Sequence, residues 1–309
     1  MKIIPEDEMF PPKRFSEGKS WTYHKYLPLM DFPDRYGKVK DIQDFCFKAQ
    51  LVSYEQYRAL AEGFNYKMWE WYTGMLVWKN QNPWTALRGS FYDYYLDYNG
   101  GYFGYKHGAE PIHIQLNLND SVVCVLNQTA GKISSATASV LLYDMHCKLI
   151  SEKNDPVTLD PHQLKLLNKV ILPVNTDQIF FLKLLLKDGD KILDENLYWL
   201  SNKKHSYEKL NELEKVSASV KVKRGMNGHA AIEISNPGAE TAFFIRLKVL
   251  SSNNELVLPS FFTENYFTLL PGATKNVDLD FSATGNKNSQ SGLRLVIEGW
   301  NVAREEIKF

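Results

Sequence analysis

The pattern of hydrophobic and polar positions changes twice along the 309 residues and divides the chain into three regions. In the first region, after a loop rich in proline and aromatic residues, apolar residues in segment 41–64 recur at intervals of three and four. This spacing predicts a core-facing α-helix whose first turn is capped by Asp41. The residues on the predicted face are Ile42, Phe45, Ala49 and Val52.

A helix, a strand and a second helix are predicted in this first region. The apolar run GMLVW at 74–78 is followed by turn-forming residues, as expected for a buried parallel strand. Helical spacing then returns, and the glycine pair Gly100-Gly101 is predicted to end this second helix. Its predicted face consists of Leu87, Phe91, Tyr94, Tyr95 and Tyr98.

From Glu110 onwards the hydrophobic period is two, which predicts β-strands. The number and spacing of the apolar runs predict one immunoglobulin-like sandwich over 110–201 and another over 215–309. The charged stretch 202–214 between them is predicted to be a linker or a short surface helix. The runs expected to form the first sandwich are PIHIQLNL, SVVCVLN, TASVLLYDM, KVILPV, IFFLKLLLKDG and LYWLS.

Composition and charge exclude several kinds of partner. Lys and Arg number 36 and so do Asp and Glu, and this zero net charge argues against nucleic acid or a membrane surface as a partner. The sequence contains no run of about 18 apolar residues, the length needed to span a bilayer. The chain contains 17 Tyr, 17 Phe and 7 Trp, a number of aromatic residues that suits either sugar binding or large β-rich cores.

Motifs for the common cofactor and hydrolase chemistries do not occur in the sequence. The three cysteines are odd in number and widely spaced, so neither a metal site nor a disulfide framework is predicted. Phosphate-binding glycine loops, G-x-S-x-G and H-E-x-x-H do not occur, and we expect no cofactor. The first twenty residues lack the apolar core of a signal peptide. An upstream signal peptide would place the protein in the periplasm or outside the cell.

A family resemblance rests on segment 77–117, which reads VWKNQNPWTALRGSFYDYYLDYNGGYFGYKHGAEPIHIQLN. It resembles the last barrel strand, the last barrel helix and the exit into the next sandwich in glycoside hydrolase family 2. The subgroup it resembles contains plant-type endo-β-mannosidases and exo-β-glucosaminidases. WKNQNPWTALRG is its most specific part and looks closer to the mannosidase type. The motifs NLYWLS, ISNPG, LLPGATKNV and IEGWN extend the resemblance over nearly the whole chain.

This resemblance implies a multidomain, mostly β chain that begins with a partial (β/α)8 barrel. Residues 1–109 would be the C-terminal remnant of the barrel, ahead of the two sandwiches. The upstream barrel and N-terminal domains, together with a carbohydrate substrate, would be its partners. Retaining enzymes of this kind use two glutamates, and both would lie upstream of this chain, which alone would be inactive. The Asn-Glu pairs at Asn211-Glu212 and Asn254-Glu255 lack the barrel context of a catalytic acid.

Substrate-binding residues are implied at the end of the predicted strand, because barrel active sites form at the C-terminal ends of strands. A tryptophan there can pack against a pyranose ring while side-chain amides bind its hydroxyls. The alternative is that one tryptophan belongs to the barrel core and that Asn-Pro is merely a turn. The implied substrate-binding residues are Trp78, Asn80, Gln81, Asn82 and Trp84.

Other residues with chemical potential are interpreted as structural. The nearest carboxylates to this stretch are Asp93, Asp97 and Glu110, and their positions favour caps or solvent-facing roles. The spacing of His107 and His113 suits packing or a hydrogen bond better than metal binding. Core or interdomain positions are expected for Trp199 and Trp300.

Two further functions remain as alternatives. The first is a non-catalytic carbohydrate-binding or adhesive β-sandwich module, against which the helix–strand–helix order argues. The second is a self-sufficient hydrolase using Asp93 or Glu110, which one strand and two helices could not enclose. An incomplete barrel would also leave Trp78 and Trp84 partly exposed at an open edge, where self-association could occur.

Overall fold

The computed structural model describes residues 32–78, 80–81, 90–174, 178–203, 206–284 and 292–309. Two α-helices and fifteen β-strands lie within these residues, and neither helix is long and apolar enough to cross a membrane. The chain forms two compact units. One unit comprises Met1–Val52, Lys79–Phe103 and Asn211–Phe309, and the other comprises Ser53–Trp78 and Gly104–Leu210.

Helix α1 spans Ile42–Tyr66 and confirms the helix predicted over 41–64. Its first turn is capped as expected, since Asp41 Oδ1 accepts the backbone N–H of Asp44 at 2.8 Å. The predicted apolar face, however, is only half-buried. A different and largely polar set of residues on this helix is buried: Lys48, Leu51, Tyr54, Arg58, Ala61, Glu62 and Asn65.

Helix α2 spans Gly100–Gly108, so the glycine pair predicted to end a helix instead begins one. Asn99 caps it, with its side-chain oxygen 3.0 Å from the backbone N of Tyr102. Three glycines at intervals of four allow close contact with α1. A Cβ at Gly100 would lie 2.4 Å from Gln50 O, one at Gly104 2.1 Å from Tyr54 O, and one at Gly108 2.9 Å from Ala61 Cβ.

The predicted helix and strand before α2 are wrong where the structure describes them. Residues 90–99 form turns and an isolated bridge between Tyr92 and Tyr98, whereas Leu87 lies outside the described residues. Residues 74–78 form no strand, and Leu76 is fully exposed. A strand requires a hydrogen-bonding neighbour, and the described part of the chain provides none for this run.

The first sandwich consists of two antiparallel sheets, ordered β1-β2-β5 and β4-β3-β6-β7. Apolar side chains from both sheets form one core that includes Leu116, Val125, Leu142 and Leu182. The strands are β1 Ile112–Asn117, β2 Val122–Asn127, β3 Ile133–Asp144, β4 Leu149–Leu159, β5 Gln163–Lys169, β6 Ile179–Asp188 and β7 Lys191–Ser201.

The second sandwich pairs a β12-β10-β14-β15 sheet with a β11-β13-β9-β8 sheet. Its core joins residues such as Ile232, Ile245, Val277 and Leu295. Short 3-10 helices occur at Pro33–Tyr36, Glu208–Glu212 and Ser282–Thr284. The strands are β8 Ser219–Arg224, β9 His229–Ser235, β10 Ala242–Leu250, β11 Phe261–Phe262, β12 Phe267–Leu269, β13 Thr274–Asp280, β14 Arg294–Glu298 and β15 Glu305–Lys308.

Mostly β structure with antiparallel sheets confirms the predicted fold class. One predicted strand is displaced, because KVILPV lies largely after β5 and leaves Ile171 and Val174 exposed. Strand β4 was not predicted, since it is an edge strand with mostly exposed polar side chains that show no apolar alternation. The division at residues 109, 201 and 214 remains a prediction.

The close contact between the helices yields a stability prediction. We expect Gly104→Ala to reduce the free energy of unfolding by about 1–3 kcal/mol, because the added methyl group would overlap the carbonyl of Tyr54. Gly63→Ala in α1 is the matched control, because a Cβ there has nothing within 4 Å. That variant should be neutral or more stable by about 0.5–1 kcal/mol. Urea unfolding measures both, and equal effects would contradict the packing argument.

Candidate functional site

The predicted substrate-binding residues that the structure describes are all solvent-exposed. Trp78 is 94% exposed, and Asn80 and Gln81 are exposed as well. Asn82 and Trp84 lie outside the described residues. Trp199, by contrast, is 3% exposed and packs beside Tyr54 with ring centroids 5.8 Å apart, as expected for a core residue.

The ends of the segment that carries these amides are held together by the backbone. The carbonyl of Asn80 accepts the N–H of Phe91 at 3.0 Å. Phe91 in turn accepts the N–H of Asn99 at 3.1 Å through its own carbonyl. Residues 91–99 therefore form a tight reversal directly after the candidate sugar-binding loop. We use the name candidate loop for residues 80–91, of which the structure describes 80, 81, 90 and 91.

The two aspartates of this reversal have structural roles. Asp93 Oδ1 accepts the backbone N–H groups of Tyr95 at 2.8 Å and Asp97 at 3.1 Å, which stabilises the turn. Asp97 Oδ2 lies 3.2 Å from Nη2 of Arg246 on β10. Burial raises the pKa of Asp97, and the positive charge of Arg246 opposes that rise. The second sandwich thus anchors the reversal through an ion pair, and the rings of Tyr98 and Phe261 add a contact at 5.7 Å.

A buried group of ionisable side chains joins α1 to the first sandwich. Glu62 Oε1 on α1 accepts a hydrogen bond from Tyr198 Oη at 2.6 Å and another from Asn196 Nδ2 at 2.9 Å. His113 on β1 lies between two carboxylates, with Nε2 3.3 Å from Glu62 Oε1 and Nδ1 2.9 Å from Asp194 Oδ2. The contact between His113 Nδ1 and Asp194 Oδ2 is an ion pair that lacks hydrogen-bond geometry.

Arg58 completes this group, which we call the buried ion cluster: Arg58, Glu62, His113, Asp194, Asn196 and Tyr198. The guanidinium of Arg58 donates to the carbonyl of Leu197 at 2.7 Å and lies 4.1 Å from the ring centroid of Tyr198. His113 and Glu62 are only 1% and 3% exposed. Without access for a substrate, these carboxylates and this imidazole are suited to holding elements together rather than to catalysis.

Hydrophobic periodicity did not identify the buried ion cluster. The sequence predicts packing or a hydrogen bond for His113 and predicts no role for Glu62 and Arg58. A signal was nevertheless present in the sequence, because Arg58 and Glu62 are four residues apart on α1 in register with Tyr54.

The remaining chemically interesting residues are engaged in structural contacts. The Nδ1 atom of His107 lies 2.7 Å from the hydroxyl of Tyr54. Asn211 donates to the carbonyl of Tyr36 at 2.9 Å, and Asn254 lies in a turn closed by the 2.9 Å bond from Ser251 N to Glu255 O. Within the described ranges, no group of three or more His, Cys, Asp or Glu residues could hold a metal ion.

Comparison with known proteins shows which class of protein this chain resembles. A family model described as the exo-β-D-glucosaminidase Ig-fold domain matches residues 196–302. The second sandwich therefore resembles the immunoglobulin-like accessory domain of a glycoside hydrolase.

Individual relatives extend this similarity over nearly the whole chain. A mannosylglycoprotein endo-β-mannosidase of Lilium longiflorum is 29% identical and covers 95% of this chain. An exo-β-D-glucosaminidase of Amycolatopsis orientalis is 28% identical and covers 96%. The crystal structure of the exo-chitosanase of Amycolatopsis orientalis superposes on 90% of this chain with a TM-score of 0.80, and the two sequences are 26% identical there. The resemblance to the C-terminal part of family 2 glycoside hydrolases is confirmed.

The chain spans only part of each of these relatives. The aligned region is 39% of the Lilium longiflorum protein, 31% of the glucosaminidase and 36% of the exo-chitosanase chain. The chain thus aligns with roughly a third of the length of each of these relatives.

The buried ion cluster predicts a pH dependence of stability. Burial lowers the pKa of His113, but the close contacts with the negatively charged Asp194 and Glu62 outweigh it and raise the pKa from 6.5 to about 9. Because the folded pKa is the higher one, this stabilisation is complete below about pH 6.5 and disappears as the pH rises through 9. The loss is on the order of 3 kcal/mol.

We expect urea unfolding between pH 6 and 9.5 to show this loss, and His113→Gln to remove most of the pH dependence in that window. His229→Gln is the control, because His229 is exposed and at the limit of ion-pair distance from Asp280, 4.0 Å. A wild-type protein whose stability is flat from pH 6 to 9.5 would contradict the assignment.

The ion pair between Arg246 and Asp97 predicts a measurable coupling. A double-mutant cycle of Arg246→Ala and Asp97→Ala should give a coupling free energy of about 1 kcal/mol, because both side chains are partly shielded from water. Hydrogen exchange of amides 91–99 should accelerate in both single variants. The cycle for the exposed pair Lys221 and Glu233 is the control and should give a clearly smaller coupling, because water screens that pair. Unchanged exchange at 91–99 would show that Arg246 does not anchor the reversal.

Proposed function

We propose that this chain is the C-terminal portion of a retaining glycoside hydrolase that acts on β-mannosides or related β-linked sugars. The observation that carries the proposal is homology over almost the entire chain to both endo-β-mannosidase and exo-β-glucosaminidases. Because the match includes the helices ahead of the first sandwich, a non-catalytic β-sandwich module is the weaker alternative.

In this proposal Trp78 and residues of the candidate loop contact the sugar. Trp78 offers an aromatic face for the C–H side of a pyranose ring, and Asn80, Gln81 and Asn82 offer amides for its hydroxyls. Trp84 would be a second aromatic wall. The full exposure of Trp78 in this chain is consistent with a side chain that faces a pocket built jointly with other parts of the enzyme.

Both catalytic glutamates are proposed to come from outside this chain. A retaining mechanism needs two carboxyl groups about 5–5.5 Å apart, one protonating the leaving oxygen and the other attacking the anomeric carbon. The carboxylates nearest the candidate loop, Asp93 and Asp97, are committed to backbone hydrogen bonds and to the ion pair with Arg246. Glu62 is buried in the ion cluster.

The proposed partner of the exposed segment 69–78 is the upstream barrel of the same protein. Trp71, Leu76 and Trp78 are largely exposed here, an arrangement that soluble proteins usually avoid over large patches. Barrel strands would pair with run 74–78 and cover Trp71 and Leu76, while Trp78 would face the sugar pocket. Self-association through the same segment is the alternative occupant of this surface.

Activity assays on the chain alone and on an extended protein test this function. The purified chain should hydrolyse neither an aryl β-mannoside nor an aryl β-glucosaminide. The protein expressed together with the coding sequence immediately upstream should hydrolyse one of them with retention. In that protein Trp78→Ala should raise KM up to about tenfold, the loss of one stacking contact.

Tyr95→Ala is the matched control, because Tyr95 is an exposed aromatic residue that belongs neither to the proposed sugar-binding residues nor to segment 69–78. Turnover by the chain alone that disappears on Asp93→Asn or Glu110→Gln would overturn the proposal. Tight binding of a glycan by the chain alone, with an inactive extended protein, would favour the non-catalytic module.

A further inference from the structure

A groove of about 720 Å³ lies in the unit that contains the second sandwich and the first turns of α1. Residues of α1, including Gln43 and Phe47, line one side. Residues of β10 and β14 and the segment after β14 line the other, among them Lys248, Glu298 and Trp300. This volume lies in the range of small-molecule sites, and neither Trp78 nor the described residues of the candidate loop contribute to the lining.

The charge of this groove is positive although the chain as a whole is neutral. Five cationic residues line it, against two carboxylates, those of Asp44 and Glu298. Three of the cations converge on Glu298. Lys248 Nζ lies 2.8 Å from Oε1, Arg246 Nη1 lies 3.9 Å from the same oxygen, and Arg304 Nη1 lies 3.7 Å from Oε2.

Asp97 and Glu306 are further partners of Arg246 and Arg304. With them the carboxylates match these three cations in number, but Glu306 is also shared with Arg294. The other two cations that line the groove, Lys40 and Lys215, add to the excess. An incoming anion would therefore meet several N–H donors that are already in place, and charge-assisted hydrogen bonds of this kind are the strong ones.

The groove also has an ordered aromatic wall. The ring of Trp300 lies 5.9 Å from that of Tyr36, 6.2 Å from Phe47 and 6.3 Å from Phe243. These contacts fix the orientation of the indole before any ligand arrives, so its ordering costs little on binding. Phe47 and the amide of Gln43 line the same groove.

We propose that this groove binds an acidic sugar, a pyranose ring that carries a carboxylate. The cations suit the carboxylate, the indole suits the C–H face of the ring, and the amide suits its hydroxyls. A simple inorganic anion would make no use of the aromatic wall, and a neutral sugar would make no use of the excess of cations. This site does not depend on the proposed hydrolase activity.

Equilibrium titration of the purified chain tests the proposal with three matched probes. Methyl β-D-glucuronoside should bind about tenfold more tightly than methyl β-D-glucoside, which lacks the carboxylate, and than acetate, which lacks the ring. Binding should weaken in 0.5 M NaCl because the attraction is partly screened. Nuclear magnetic resonance shifts of the tryptophan indole N–H groups provide the readout.

Two variants locate the site. Lys248→Gln combined with Arg304→Gln should weaken glucuronoside binding by about tenfold or more. Arg294→Gln removes a cation from the same sheet that pairs with Glu306 at 2.7 Å and does not line the groove, and it should bind like the wild type. Thermal unfolding confirms that each variant is folded.

Three outcomes would overturn the proposal. Equal affinity for the glucuronoside and the glucoside would remove the role of charge, and equal affinity for acetate would remove the role of the ring. No measurable binding of the glucuronoside at millimolar concentration would reject the site altogether.

Discussion

Burial of the Glu62 carboxylate is the constraint on which the packing of α1 against the first sandwich depends. An interior charge that loses its partner costs several kcal/mol, so the helix and the strands that supply those partners must come together in one register. Tyr198 and Asn196 reach Glu62 from β7, and His113 reaches it from β1. With Arg58 and Asp194 the cluster contains two cations and two carboxylates. Balanced charge makes its burial tolerable, whereas removing one member leaves the opposite charge without compensation.

Much of the β structure could be read from the sequence because half-buried strands alternate apolar and polar residues. Helix α1 was also readable, from its spacing and from the Asp41 cap. Its buried face was not, because hydrophobicity places Lys48, Arg58 and Glu62 outside while the structure buries them in paired contacts. Periodicity cannot identify a charge that is paired with another distant in sequence.

Two local errors have different physical causes. The run 74–78 has the composition of a strand, but a strand forms only beside a hydrogen-bonding neighbour. Because glycine is preferred after a helix, the pair Gly100-Gly101 predicts a helix end. Its actual role is steric, since α2 approaches the backbone of α1 so closely that Gly100 and Gly104 have no room for a side chain. The need for glycine was visible in the sequence, but the reason for it was not.

The two proposed sites differ in how far the sequence can suggest them. The candidate loop is proposed from one contiguous motif, so a family resemblance is enough to suggest its chemistry. The groove could not be found in this way, because Gln43, Lys215, Lys248 and Trp300 come from separate stretches that meet only in the folded unit. Its excess of positive charge is also concealed in a chain whose total charge is zero.

The backbone hydrogen bond between Phe91 and Asn80 holds together two residues that are separated in the sequence. The entropy of closing an interval between two such anchor points rises only slowly with its length. Insertions or a transplanted sequence between the two anchors should therefore cost little stability as long as this bond is kept. The interval is thus a grafting point that a protein engineer can vary independently of the cores of the two sandwiches.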